Sequence, residues 1–576
     1  MKKIILLLTC GLAFCTGTAQ TLPKWANQAK KAVFSVITYN KDNKILNTGN
    51  GFYIDEEGTA VSDYSLFKGA DHAVIVTADG KELPVRYIMG ANDLYDVIKF
   101  KTGVNKKSAT LDPAVQGGKT GEQIYLLPYS TQKSVEGQTG TITKVDTISN
   151  ESLYYTLNMK TTEKTVSCPI MNAEGQVIGM LQKNTEADSP ESYAIGISFV
   201  KGLSISALSG SDMALNSIGI KKGLPEDESQ ALVYLYISSS QLNGEDYLEL
   251  LNDFISRYPN NMEGYLRRAS FYLSQEGRGA DAEKDLKEMF NVATKKEEAH
   301  YNAAKLLYDY NLSLGEKQPY SDWNFDKALK EINEAVALAP EGLYLQLQGD
   351  IYFAMKKYPE AVTSYEAVNK TNMASASSFY SEAKAKELAK ADIKEIIALM
   401  DSAVSKFNEP YGKDAVPYLY ERARFRSEAG MHREAVKDYN DIYDAVLGQV
   451  GAEFYLTRVH AEMQCRMYQQ AINDINKAVE LEPQNVEYWL EKGGIHLRVN
   501  QLDEAVTALQ KVLNLDPKNA GAYRMLGYTQ IQQKKNKEGM ANLEKAKELG
   551  DKVAEDLLQK YSKKFKFRKY SNNIIK

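Results

Sequence analysis

Histidine and cysteine are scarce in this sequence, which has 5 and 4 of them among 576 residues. They never fall at the spacing that holds a metal ion, and no glycine-rich loop of the phosphate-binding kind opens a predicted helix. No apolar run reaches the roughly 18 residues that would span a bilayer. From these absences we expect no bound metal, no cofactor and no transmembrane segment.

The cysteines are also poorly placed for a disulfide framework. Cys10 and Cys15 lie in an N-terminal apolar segment, and either could be the lipid-modified residue of a lipoprotein-type signal. Cys168 and Cys465 fall in different predicted domains. The net charge is only −5, and this mild acidity argues against nucleic acid as a partner. The composition, 43% hydrophobic and 25% charged, is typical of a globular protein with several cores.

The N-terminus has the form of a secretory signal peptide. Lys2 and Lys3 precede the apolar stretch from Ile4 to Phe14, and small residues up to Ala19 supply a cleavage site. We predict a signal peptide at residues 1–19 and a soluble periplasmic or extracellular protein. Cleavage removes two cations and no acids, so the net charge of −5 becomes −7.

Two segments in the first half carry the strongest signal. Residues 48–70 read TGNGFYIDEEGTAVSDYSLFKGA, and residues 164–180 read KTVSCPIMNAEGQVIGM. They resemble the two ends of the catalytic machinery in trypsin-like serine proteases of the HtrA/Deg type. In that family the first segment carries the general base, a His, and the second carries the nucleophile, a Ser. Residues 92–100, NDLYDVIKF, resemble the family's strand that carries the triad Asp.

The resemblance assigns each triad position to one residue here. The glycine spacing of the first segment places Ser65 at the base position. The Pro, Asn and Gly spacing of the second places Val166 at the nucleophile position, and Asp96 holds the acid position. Further matches follow in the family's order, so the resemblance covers about residues 26–205. It implies an all-β trypsin-like double β-barrel over residues 24–205.

The residues at these positions predict a pseudoprotease. A neutral hydroxyl such as that of Ser65 is a poor base near pH 7, and Val166 has no heteroatom with which to attack a carbonyl. Asp96 then has no imidazole to orient. The glycine that shapes the family's oxyanion turn is also missing from Lys164-Thr165-Val166.

An active enzyme remains the alternative. A register shift of one residue would make Ser167 the nucleophile, Cys168 could act as a thiol nucleophile, and Lys164 could pair with Ser167 as a dyad. His72, the one histidine in this half, falls at the start of a predicted hairpin. These residues leave a serine- or cysteine-type endopeptidase open.

The second half has an internal period of 34 residues. Ala471, Ala505 and Gly539 are spaced by this interval, as are Pro483 and Pro517. Each unit has the pattern of a helix, a short turn and a second helix ended by Pro. This resembles the tetratricopeptide repeat. The fold class predicted for the whole chain is therefore multidomain, an all-β double barrel followed by an all-α repeat solenoid.

The repeats set the remaining domain boundaries. We expect a linker at residues 206–228, about nine helix pairs at 229–550, and a capping helix with a basic tail at 551–576. The tail from Lys563 to Tyr570 is basic and aromatic. It is either solvated or in contact with a membrane surface or a partner.

A repeat stack of this kind forms a long concave surface that binds protein segments. The first helix of each pair lines that surface, and aromatic and Arg side chains are the most frequent anchors. Six residues are predicted to point into the groove: Tyr420, Arg424, His460, Arg498, Arg524 and Tyr528.

The leading interpretation is an exported interaction scaffold. In it, an inactive trypsin-like domain accompanies repeats that bind a protein or peptide. One alternative is an active exported endopeptidase whose repeats recruit substrate. Another is an envelope assembly factor in which the barrel only caps the repeats.

Overall fold

The computed structural model describes residues 22–574 except 104–106, 133–136, 185–188 and 276, and the side chains of residue 150 and of residues 564–574 are also outside the described part. The predicted signal peptide at 1–19 lies outside the described residues, as do most side chains of the predicted basic tail. The chain forms two compact units, Met1–Thr294 and Lys295–Lys576. Each unit has its own buried apolar clusters.

The first barrel consists of six antiparallel strands. Its elements are α1 (Ala26–Ala29), β1 (Val33–Tyr39), β2 (Ile45–Tyr53), β3 (Thr59–Ser62), α2 (Tyr64–Phe67), β4 (His72–Val76), β5 (Glu82–Asn92) and β6 (Val97–Thr102). The strands close in the order β1-β2-β3-β6-β5-β4. Alternation builds this barrel: Leu83, Val85 and Ile88 of β5 are buried between more exposed neighbours, because successive side chains of a strand point to opposite faces.

The second barrel follows the same plan. Its elements are β7 (Gln123–Leu126), β8 (Gln138–Thr147), β9 (Leu153–Asn158), β10 (Pro169–Met171), β11 (Val177–Leu181), β12 (Glu191–Gly196) and α3 (Ile197–Gly202). The strands close in the order β10-β11-β12-β9-β8-β7. Two closed six-stranded barrels within the described ranges confirm the predicted double β-barrel.

Residues 206–228, which the sequence indicates as a linker, are an ordered segment packed on the first barrel. The segment contains α4 (Met213–Asn216) and buries Leu215, Ile218 and Ile220. The N–H of Ile88 donates to the carbonyl of Lys221 at 2.8 Å. The Gly and Ser content of this segment favoured a linker over a packed segment. The few apolar residues are buried by a barrel surface that is distant in sequence, so their burial could not be predicted locally.

Four helices complete the first unit: α5 (Glu228–Ser238), α6 (Gly244–Arg257), α7 (Met262–Leu273) and α8 (Gly279–Val292). Ion pairs join α6 to the segment on the barrel. The Lys221 ammonium lies 2.6 Å from a carboxylate oxygen of Asp246 and 2.6 Å from one of Glu249. These helices therefore belong to the same compact unit as the barrels.

In the described part of the second unit, helices are the regular secondary structure and no strand is present. Its helices are α9 (Lys296–Leu314), α10 (Phe325–Leu338), α11 (Gly342–Ala354), α12 (Tyr358–Val368), α13 (Ala376–Leu388), α14 (Ile393–Val404), α15 (Val416–Glu428), α16 (His432–Ala445), α17 (Ala452–Gln464), α18 (Tyr468–Leu481), α19 (Val486–Arg498), α20 (Leu502–Leu515), α21 (Ala520–Gln532), α22 (Asn536–Glu548) and α23 (Lys552–Ile574). None of the described helices is both long and apolar enough to cross a membrane.

Small residues at the period positions allow the helices to pair closely. A Cβ atom added to Gly527 in α21 would lie 2.8 Å from the carbonyl oxygen of Gly539 in α22. A Cβ atom added to Gly539 would lie 2.6 Å from the carbonyl oxygen of Gly527. Both distances are shorter than van der Waals contact, so only glycine fits at this crossing.

Candidate functional site

The base and acid positions predicted from sequence are in direct contact. Ser65 lies in α2, and Asp96 lies immediately before β6 with a left-handed φ of 48°. The Ser65 backbone N–H donates to Asp96 Oδ1 at 2.6 Å, and the Ser65 hydroxyl donates to Asp96 Oδ2 at 2.9 Å. The pair has the connectivity of a triad base and acid, with a hydroxyl in place of the imidazole.

This contact has a clear chemical consequence. The Ser65 hydroxyl donates its proton to the Asp96 carboxylate in this hydrogen bond. The pair therefore offers no basic atom that could take a proton from a nucleophile, as an imidazole does. A hydroxyl does not accept a second proton near neutral pH, whereas an imidazole titrates there. The arrangement orients a side chain without providing a general base.

Val166 lies at the end of a short 3₁₀ turn, Glu163–Thr165. Its side chain is half-buried. The Asn50 side-chain amide in β2 donates to the carbonyl oxygens of Lys164 at 3.0 Å and of Val166 at 2.9 Å. The first barrel thus fixes the turn of the second barrel in which a nucleophile would stand.

Ser167, which a register shift of one residue would make the nucleophile, is buried and backbone-strained. It has a φ of 60° and no measurable exposure. Its hydroxyl has no hydrogen-bond partner of good geometry among the described residues. In the family motif, the position that follows the nucleophile is Gly, the residue that adopts positive φ most readily. The backbone conformation therefore fits the alignment with Val166, not Ser167, at the nucleophile position.

A buried carboxyl, Asp63, lies among these residues. The pKa of Asp63 is raised to about 8, and burial is the main cause. The charge of Asp96 also raises this pKa, whereas the Ser167 hydroxyl and the Lys183 ammonium lower it. Asp63 is therefore near all three groups and is mostly protonated at neutral pH. In that state it cannot take the proton of Ser167.

The other three residues of the active-enzyme alternative, Cys168, Lys164 and His72, lie in different surroundings. Cys168 is fully buried, and burial raises the pKa of its thiol to about 12, so little of the reactive thiolate forms at neutral pH. Lys164 is exposed. The imidazole of His72 stacks on Tyr39 with ring centroids 4.9 Å apart, and its Nδ1 lies 3.3 Å from Asp71.

Three residues that position this site were missed from the sequence: Asn50, Asp63 and Gln182. The amide of Gln182 donates to the carbonyl of Tyr95, next to Asp96. Asn50 and Asp63 both lie inside the motif at residues 48–70, which is the one signal that could have identified them. Their partners are more than 30 residues away, so spacing alone does not reveal the contacts.

The six predicted groove residues lie on first helices of pairs in the second unit, with different surroundings. His460 and Arg498 are exposed, and Tyr420 is 38% exposed. Arg424 lies within 2.9 Å of Glu387, Glu421 and Glu428. The side chain of Arg524 donates to Asp551 at 2.8 Å, and Tyr528 packs near Tyr561 of α23.

Comparison with known families agrees with the two kinds of structure. The model for the trypsin-like peptidase domain matches residues 49–180. Tetratricopeptide repeat models match residues 452–485 and 493–534. A comparison with curated proteins found no match.

The fold, the site and these matches define a protease-like protein joined to helical repeats. In particular, a trypsin-like peptidase domain precedes tetratricopeptide repeats in one chain. Repeats of this type suggest interaction with other proteins. Across the described ranges, no group of three His, Cys, Asp or Glu side chains is arranged to hold a metal ion.

Proposed function

We propose that this protein is an exported interaction scaffold whose trypsin-like domain is catalytically inactive. The observation that carries the proposal is the hydrogen bond of 2.9 Å from the Ser65 hydroxyl to Asp96. In this hydrogen bond the carboxylate at the triad-acid position is paired with a hydroxyl, which is not a general base. A hydrocarbon side chain, Val166, stands at the nucleophile position.

The surroundings of Ser167 and Cys168 support inactivity. Both residues have no measurable exposure, so the carbonyl of a bound peptide could not approach either side chain without a change in structure. Asp63 is the buried carboxyl beside Ser167, and it is protonated through most of the neutral range. In this proposal the barrel keeps the fold of a peptidase and binds a peptide without cleaving it.

The test of inactivity uses mature protein, residues 20–576, with a fluorophosphonate probe, with iodoacetamide and with casein. We expect no stoichiometric label on Ser167 or Cys168 and no casein cleavage, under conditions in which trypsin gives both. Ser167→Ala and Cys168→Ala are the matched variants. Labelling that either variant abolishes, together with casein cleavage, would show an active endopeptidase.

In this proposal the repeats recruit a second protein. Affinity capture from envelope extracts should yield a partner whose recovery falls in the His460→Ala/Arg498→Ala variant. Both side chains are exposed, so the folded structure should tolerate their removal. Arg433→Ala, an exposed position on α16, is the matched control. Equal recovery by all three proteins would exclude the predicted groove as the binding surface.

Export is the remaining part of the proposal, and it depends on residues 1–19. Mass spectrometry of the protein from its native cells should find a mature N-terminus at Gln20. Retention of residues 1–19 in a cytoplasmic fraction would exclude export. A lipid-modified Cys10 or Cys15 would replace soluble export with anchoring.

A further inference from the structure

A cavity of about 770 Å³ in the first unit is lined by residues from both barrels. Its walls come from the turn between β4 and β5, from the 3₁₀ turn that precedes β1, from residues 107–109 and from residues 130–132 after β7. Volumes of roughly 300–1,000 Å³ are typical of small-molecule sites. None of the residues that form the candidate site is among the described lining residues, so the cavity is a separate feature.

Lysine side chains dominate the charge of this cavity. Five charged residues belong to its described lining: Lys30, Lys31, Lys81, Lys107 and Asp79. Four of them are cations and one is a carboxylate. Lys107 pairs with Glu56, which is outside the described lining. With this pair discounted, three cations remain against one carboxylate.

Lys31 and Lys81 are the cations best placed to bind an anion. Both residues are exposed, so a ligand reaches them without a change in structure. The Lys31 ammonium donates to the side-chain amide oxygen of Gln28 at 2.9 Å. In the described part of the chain neither lysine has a carboxylate partner. Because an ammonium group has three N–H donors, both retain donors for an oxyanion.

Hydrogen bonds hold the walls of the cavity in place. In the turn that carries Lys81, the Thr77 N–H donates to the Lys81 carbonyl at 3.0 Å, and the Lys81 N–H donates to the Thr77 hydroxyl at 3.0 Å. Two contacts join the barrels here. The Tyr129 hydroxyl donates to the Thr77 carbonyl at 3.4 Å, and the Lys30 ammonium donates to the Gln132 carbonyl at 3.1 Å. A preformed site of this kind loses less conformational entropy on binding.

The remaining lining suits the carbon skeleton of an organic ligand. Tyr53 and Leu83 contribute buried apolar surface. Ser130 adds a polar group, because its hydroxyl oxygen accepts from the Gln132 N–H at 3.1 Å and its hydroxyl hydrogen is left to donate to a ligand. Apolar surface beside cations favours an organic anion over an inorganic ion.

We propose that this basic cavity binds a small organic anion that carries two or three carboxylate or phosphate groups. Lys31 and Lys81 hold the charged groups, and Ser130 donates a further hydrogen bond. Asp79 offsets one cation, so a ligand with several negative charges matches the lining best. This binding requires neither an active nor an inactive triad, and it does not involve the repeats.

Isothermal titration calorimetry tests the proposal with mature full-length protein at low salt, where charge interactions are least screened. Propane-1,2,3-tricarboxylate and fructose 1,6-bisphosphate represent the carboxylate and the phosphate chemistries. Propane-1,2,3-tricarboxamide and fructose are their neutral counterparts. We expect at least one of the two anions to bind about tenfold or more tightly than its neutral counterpart, because charge-assisted hydrogen bonds are stronger than neutral ones. The anion that binds more tightly identifies the chemistry of the ligand.

Matched variants assign the binding to the cavity. Lys31→Gln and Lys81→Gln should each weaken binding of that anion about threefold or more, since each removes one cation at an exposed site. Asp79→Asn should strengthen binding, because it removes the opposing carboxylate. The controls are Lys119→Gln and Glu82→Gln. Both positions are exposed and neither belongs to the described lining, so these changes of charge should alter the affinity by less than about twofold.

Three results would overturn the proposal. They are no binding of either anion, equal binding of the anions and their neutral counterparts, and an equal loss of affinity in Lys81→Gln and Lys119→Gln. The last result would indicate diffuse attraction to surface charge. Circular dichroism verifies that each variant is folded. Labelling by fluorophosphonate would instead overturn catalytic inactivity and leave this cavity unaffected.

Discussion

Arg458 of α17 and Asp474 of α18 form a forked ion pair within one helix pair. The guanidinium Nε lies 2.6 Å from Asp474 Oδ2, and Nη2 lies 2.9 Å from Oδ1. The same spacing of 16 residues joins Arg422 to Asp438. Both pairs are buried, with at most 11% of any of the four side chains exposed. This repeated pair links first and second helices inside the repeats.

We predict that Asp474→Asn lowers the free energy of unfolding of the repeat region by about 3–5 kcal/mol, because it removes the carboxylate that faces both N–H groups of a buried guanidinium. Thermal denaturation followed by circular dichroism measures the loss. The control is Lys477→Ala, which removes an exposed ion pair with Glu480 in the same helix and should cost less than about 1 kcal/mol. Equal losses in the two variants would contradict the prediction.

Glu462 makes this helix pair sensitive to pH. Its Oε1 lies 4.0 Å from Arg458 Nε, and its Oε2 has no hydrogen-bond partner among the residues described. Burial and the charge of Asp474 raise the pKa of Glu462 to about 8, against the attraction of Arg458. The folded protein therefore holds a proton that the unfolded chain releases above its ordinary pKa near 4.5. Stability falls as the pH rises from about 4.5 to about 8.

We predict that Glu462→Gln makes the protein more stable than wild type at pH 9, and not at pH 4. The gain at pH 9 should be at least about 1.4 kcal/mol, the free energy of one pKa unit. The difference in melting temperature between the two proteins, measured across this range, isolates Glu462 from Asp63, whose raised pKa acts in the same direction. Glu480→Gln, at an exposed position of α18, is the control. A constant difference at every pH would disprove a buried, protonated Glu462.

We predict that Ser167→Gly stabilises the first unit by about 1 kcal/mol. Glycine relieves a left-handed φ that costs other residues about 1–2 kcal/mol, and it removes a buried hydroxyl that makes no hydrogen bond of good geometry in the described structure and whose one polar neighbour identified above is the Asp63 carboxyl. Greater backbone freedom of the unfolded chain offsets about 0.5–1 kcal/mol of this gain. Ser167→Ala removes the hydroxyl but keeps the strain, so it should gain less. Chemical denaturation ranks the three proteins, and a Gly variant less stable than the Ala variant would refute the strain.

We predict that Cys168 does not react with Ellman's reagent at pH 8 in the folded protein. Its thiol is fully buried with a pKa raised to about 12, and the thiolate is the reactive form. The partly exposed Cys465 should react first. Unfolding in guanidinium should release the second thiol, and the Cys168→Ser variant identifies it. Rapid reaction of Cys168 in the folded protein would show an accessible thiolate.

The sequence predicted the barrels because their determinants are local. The resemblance that implied the double barrel is carried by short motifs, such as those around Gly51 and Pro169, and not by a periodicity of the strands. The helix pairs follow from a period that places Gly527 and Gly539 at one crossing. The prediction of a linker at 206–228 missed the burial of Leu215, Ile218 and Ile220. This burial depends on a surface that the strands of the first barrel form.

The candidate site was predicted only as a set of positions. The resemblance to the protease motifs assigned the triad positions to Ser65, Asp96 and Val166, and the chemistry of these side chains argued against catalysis. It gave no indication that Asp63 is buried beside Ser167 or that Asn50 holds the turn at Val166. These properties depend on desolvation and on contacts between the two barrels. Neither produces a recurring pattern in the sequence, so neither can be predicted from it.

The sequence by itself determined the order of the two architectures and the chemical identity of the residues at the triad positions, because side-chain identity and periodicity are properties of the chain. Only the tertiary structure decided which of those residues meet, which carboxyls hold a proton and which lysines line one cavity. Burial and electrostatic coupling arise between residues far apart in sequence, and they exist only after the chain has folded.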